Sequence, residues 1–143
     1  MESPLPALPT WVLSSAAARS HQIIQRRLGA NGFTGYEYRC LAALAGEDRV
    51  SQAVLGGATA LDPRDVTHTV RGLEQRGLVE RDKDPDHGRR ILVSLTPHGR
   101  DAASSLIGVM AATQDEVFAG LSKGECATLL ALLARIARTD PQD

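Results

Sequence analysis

Apolar residues recur at helical spacing along most of the chain, and the exceptions fall in one short stretch. Leu13, Ala17, Ile24 and Leu28 share a stripe and predict a helix from Trp11 to Leu28. Gly29 and Gly32, with Asn31 between them, end it. Residues 1–10 carry three prolines and are expected as a loose arm. Thr34 and Glu37 have the spacing of a capping box, so a second helix starts there, with Tyr38, Leu41, Leu44 and Ala45 on its inner face. Ser51 can cap a short helix through Leu55, which Gly56-Gly57 stops or loosens. Asp62-Pro63 opens a further helix to about Arg76, with Val66, Val70 and Leu73 facing the core and Gly77 as its C-terminal cap.

The period then changes. Leu78–Arg81 and Ile91–Leu95 read as strands, and Asp82–Gly88 as a charged turn, together a hairpin of about fifteen residues. Thr96-Pro97 starts a long amphipathic helix carrying Ala102, Leu106, Val109, Met110 and Val117, interrupted by Gly120. Ser122 and Glu125 form a second capping box. In the last helix Leu129, Leu130, Leu132, Leu133 and Ile136 cover more than one narrow stripe, more apolar surface than a single neighbour would keep dry. A short polar tail follows from Thr139.

Helix, short helix, turn, capped helix and hairpin, in that order, predict a mainly α fold with a small β-hairpin wing. This is a winged helix-turn-helix with a helical dimerisation layer. The expected division is an arm and dimerisation helix at 1–30, a DNA-binding lobe at 31–97 and C-terminal dimerisation helices at 98–143. The helix from Pro63 must bury one face and offer the other, and a major groove about 12 Å wide accepts one helix. At about 100° per residue, Arg64, Thr67, His68, Arg71 and Gln75 lie opposite Val66. Arginine can pair with guanine edges, threonine can meet a base or a thymine methyl, and arginine and histidine can meet phosphates. Ser51, Gln52, Asp65, Lys83, Arg89 and Arg90 complete the expected DNA contacts, with Arg89 entering a narrow minor groove from the wing.

Charge leaves an alternative open. The formal net charge is −1. Residues 62–100 hold eight of the 16 Lys and Arg, but also seven acids, so a winged-helix module that binds protein without DNA fits as well. With 43% hydrophobic and 23% charged residues the chain can bury a core, which excludes a disordered chain. No run reaches the roughly 18 apolar residues of a membrane span, and residues 1–10 lack the basic start of a secretory signal. A cytoplasmic protein is expected. Cys40 and Cys126 lie in apolar helical patterns and read as buried, reduced thiols, with a redox switch as the sharper reading. His21, His68, His87 and His98 have no partners at zinc spacing, and neither a phosphate loop nor a Gly-x-Ser-x-Gly elbow is present. No metal, cofactor or enzymatic activity is expected.

The stretch from Val66 to Gly99 resembles the MarR family of winged-helix regulators. The residues that carry this are Leu73-Glu74-Gln75-Arg76-Gly77-Leu78-Val79-Glu80-Arg81, the wing Asp84-Pro85-Asp86-His87-Gly88-Arg89-Arg90, and Val93-Ser94-Leu95-Thr96-Pro97-His98-Gly99. The resemblance implies a homodimer interlocked through its terminal helices, a pseudo-palindromic operator, and repression relieved by a small, often aromatic, effector between the dimer helices and the DNA-binding lobe. Trp11, His21, Tyr36, Tyr38 and Met110 are the candidate effector residues. Three departures stand out. His87 replaces the aspartate that often holds the wing arginine, which opens the wing to pH. Gly56-Gly57 replaces a firmer helix. No cysteine stands near the start of the first helix, so oxidation sensing there is not carried over.

Overall fold

The computed structural model describes residues 1–138, so the tail expected from Thr139 lies outside the described residues. Six helices and three strands follow in the order α1 (Pro9–Ala30), α2 (Gly35–Ala45), β1 (Val50–Ser51), α3 (Gln52–Thr59), α4 (Pro63–Gln75), β2 (Val79–Asp84), β3 (His87–Leu95), α5 (Pro97–Val117) and α6 (Lys123–Ala137). The architecture is the mainly helical winged fold the sequence predicts.

The caps form where the sequence places them. Thr34 and Glu37 complete a reciprocal box at α2, as Ser122 and Glu125 do at α6. The box pulls the Glu125 carboxyl below its ordinary pKa, because the Ser122 backbone N–H donates to it. Gly32 and Gly77 take the positive φ that closes α1 and α4. The Thr96 hydroxyl accepts from Gly99 N and donates to Gly77 O at 2.6 Å, so it caps α5 and ties it to the end of α4. This brings the chain so close that a Cβ on Gly99 would lie 1.8 Å from Leu78 O.

The sheet order is β1-β3-β2, antiparallel throughout. One core joins Leu28 of α1, Leu41 and Leu44 of α2, Leu55 of α3, Val66, Val70 and Leu73 of α4, Val79 and Val93 of the sheet, and Leu106 of α5, none of them more than 2% exposed. Burying side chains of this size stabilises the fold by roughly 1.5–3 kcal/mol each.

Several expectations need correction. The arm is partly ordered: Leu5–Ala7 form a short 3₁₀ turn, and α1 begins at Pro9, where a proline fits the first helical turn. Along α1, Leu13 and Ala17 are exposed, and Ile23 and Leu28 are the buried residues. Gly56-Gly57 does not stop α3. A Cβ on Gly56 would sit 3.3 Å from Val66 Cγ2, so the glycine permits a close approach to α4. The helix ends instead at Ala60, a left-handed residue (φ 57°) whose N–H reaches Gly56 O and Gly57 O. The charged segment 82–88 is mostly strand, with only Pro85-Asp86 at the tip. Asp82 and Lys83 pair with Leu92 and Ile91, and both charged residues are exposed, so the strand carries them without desolvating a charge. Cys40 is buried, and burial pushes its thiol up to about 11 against the pull of Arg39. Cys126 is partly exposed, not buried.

Candidate nucleic-acid interface and adjoining cavity

The interface is built on α4. Asp62 Oδ1 accepts from Asp65 N at 2.9 Å, and Pro63 pre-sets the first turn, so the helix start is fixed. Ser51 Oγ does the same for α3 by accepting from Val54 N. Ser51 also pairs with Leu92, so the start of α3 and the hairpin share one sheet.

Three sectors divide α4. Val66, Val70 and Leu73 face the core. Arg64, Arg71 and Gln75 are exposed on the outer face, as expected. Asp65, His68, Thr69 and Gly72 line a cavity. Asp65 and His68 therefore border a space that the expected contact set did not include. His68 is exposed at the seam between the outer face and the cavity, and Asp65 is half-buried. The Thr67 hydroxyl accepts from Gln52 Nε2 at 2.9 Å and donates to Pro63 O at 2.8 Å.

On the hairpin Lys83, His87, Arg89 and Arg90 are all exposed. Arg90 Nη1 lies 3.8 Å from Asp84 Oδ2. Arg89 is in no ion pair among the described residues, which agrees with the missing wing aspartate.

The cavity, about 1100 Å³ and open to solvent, lies between α1, α2, α5 and the inner flank of α4. His21, Tyr36, Tyr38 and Met110 line it, and Trp11 does not. Trp11 is 46% exposed, near the start of α1. Arg39 and Glu37 also border the cavity, and sequence reasoning missed both. Arg39 reaches over the Tyr36 ring at 5.8 Å and donates to Thr59 O. Glu37 accepts at Oε1 from Thr34 N and at Oε2 from Arg76 Nη1, both at 2.9 Å, and Arg76 in turn lies 4.3 Å from the Phe33 ring centre. The signal for the α4 lining was available: Asp65, Thr69 and Gly72 share one helical flank, and the glycine leaves room there. Among the described residues no group of His, Cys, Asp and Glu could hold a metal ion, and no helix is long and apolar enough to cross a membrane.

Comparison with known proteins gives consistent matches. The profile of the MarR family matches residues 31–90. The structure of a "probable transcriptional regulator" from Pseudomonas aeruginosa is 35% identical, covers 92% of this chain and 98% of its own, and has a TM-score of 0.82. BpsR of Bordetella bronchiseptica, whose DNA binding is regulated by 6-hydroxynicotinic acid, is 25% identical, covers 98% of this chain and 100% of its own, and has a TM-score of 0.85. The transcriptional repressor NicR of Pseudomonas putida is 29% identical over 129 residues, 90% of this chain and 82% of NicR.

Proposed function

This chain belongs to the MarR family of transcription regulators, a family of non-enzymes, and we propose that it is a homodimeric repressor that binds double-stranded DNA and leaves it when a small molecule fills the cavity. The observation that carries DNA binding is the outer face of α4, where Arg64, Arg71 and Gln75 are exposed beside a wing that presents Lys83, Arg89 and Arg90. Such a face supplies base-edge and phosphate contacts together.

The dimer is supported by the apolar residues that one chain leaves wet. Trp11 and Val12 of α1, Ile107 of α5, and Leu130, Leu132 and Ile136 of α6 are all exposed. A second copy covering them would hold two α4 helices for successive major grooves, about one helical turn apart. Release is supported by the cavity, which touches α4 as well as α1, α2 and α5, so an occupant binding one α4 position better than another shifts the population. BpsR, whose DNA binding is regulated by 6-hydroxynicotinic acid, supports a small-molecule effector, and NicR supports repression.

The test is selection of duplexes from a random pool, followed by fluorescence anisotropy across a salt series. A two-fold-symmetric site should emerge, with affinity falling steeply in salt. The triple variant Arg64→Ala, Arg71→Ala, Arg89→Ala should keep its fold and lose specific binding. Unchanged affinity in that variant would overturn the reading and favour a winged-helix module that binds protein.

A further inference from the structure

On the DNA-binding reading above, we infer that Thr67 reads the C5-methyl group of a thymine in the major groove, and that Gln52 is the positioning residue that turns it to do so. The argument starts from hydrogen-bond capacity. A threonine hydroxyl has one proton to donate and two lone pairs to accept with. Here the proton goes to Pro63 O at 2.8 Å, within the first turns of α4. One lone pair is taken by Gln52 Nε2 at 2.9 Å, from the start of α3. The hydroxyl therefore has no proton left for guanine N7 or O6 or for thymine O4. One lone pair stays free, and beyond it the half-buried side chain has only its methyl to offer a base.

Gln52 has little else to do. Its Oε1 is buried without a hydrogen-bond partner, an arrangement that costs free energy and yields no contact of its own. What the amide achieves is to hold Thr67 in one rotamer. Threonine in a helix otherwise splits between two rotamers, because its hydroxyl can find the preceding turn in more than one way. Thr67 also stands next to the outer face, within one turn of Arg64 and Arg71. A methyl fixed beside two arginines can sense a methyl on a base while they grip guanine edges and phosphates.

The test uses the full chain and the operator selected as above, with each thymine of one half-site replaced in turn by deoxyuridine, which lacks only the methyl. The wild type should lose about fourfold in affinity at one thymine, the worth of one buried methyl group. Thr67→Ser, which keeps the hydroxyl, should bind thymine and uracil alike at that position. Thr67→Val, whose branched Cβ restricts the rotamer in a helix without help from Gln52, should keep the penalty. Gln52→Ala should shrink the penalty without abolishing it, because the methyl is present but no longer held. A penalty that survives in Thr67→Ser, one that vanishes in Thr67→Val, or no thymine that responds at all would each overturn the assignment. Selection of no sequence by the wild type would overturn the DNA-binding reading and this inference together.

Discussion

In the winged lobe Leu41, Leu55, Val70, Leu73 and Val93 are fully buried, whereas α6, with four leucines and an isoleucine in fifteen residues, buries none. Leu129 and Leu133 are half-covered, and Leu130, Leu132 and Ile136 face outward at 49%, 48% and 68% exposure. The first half of α1 behaves like α6, and its second half like the lobe, since burial begins only at Ile23. Local signals are equally strong in both regions: α2 and α6 both start with complete capping boxes. Helix formation and core formation are thus separate events. The lobe closes its core with its own chain. The terminal helices form from their own sequence and leave their apolar stripes for a surface that one chain does not supply.

Four changes bear on this contrast, in decreasing order of effect. Where α5 meets the lobe, Gly99→Ala drives a Cβ into the backbone at Leu78, which cannot give way as a flexible side chain would. A cost of about 3 kcal/mol or more is expected in urea unfolding, and a near-wild-type midpoint would mean the junction of β2 and α5 is looser than its geometry. In the terminal layer, Leu132→Asp with Ile136→Asp should leave the lobe folded by circular dichroism and shift the sedimenting species from dimer to monomer. DNA affinity should fall by about a hundredfold, as joined half-sites become separate ones. A wild type that already sediments as a monomer would remove the contrast altogether.

The third change is a gain. Gly72 lies in the last turn of α4, and a Cβ there meets nothing within 4 Å. Gly72→Ala should add about 1 kcal/mol by helix propensity alone. A loss of stability would show that the flank of α4 is not open to the cavity. The smallest effect belongs to Glu116, which joins α5 to α1 by accepting from Arg27 Nε and Arg26 Nη2, both at 2.8 Å. The Arg27 hydrogen bond is the largest cause holding its carboxyl below the ordinary 4.5. A carboxylate with a lowered folded-state pKa contributes stability above 4.5 and loses it as pH falls through the lowered value. The stability gap between wild type and Glu116→Gln should therefore be present at neutral pH and close in acid. A gap unchanged across that range would mean the ion pair contributes nothing.

What could be read from the sequence follows the same division. Caps and helix periods are local, so Asp62, Thr34, Ser122 and Thr96 announced their helices, and the outer face of α4 followed from its period. Features set by a neighbour could not be read that way. Gly56 looked like a stop because its role, room for Val66, belongs to another helix. β1 is two residues long and exists only because β3 lends an edge. Thr67 looked free because its partner, Gln52, lies fifteen residues away. Trp11 looked like a cavity residue on chemistry alone, and its position on α1 puts it elsewhere.

Glu37 has a consequence of its own. One carboxylate fastens two joints, with Oε1 on the first turn of α2 and Oε2 on Arg76 at the end of α4. Neither a shorter aspartate nor a glutamine, which has only one acceptor atom, could serve both. The carboxylate therefore ties the start of α2 to the end of α4, and a movement that carries Arg76 away from α2 must break this exposed pair.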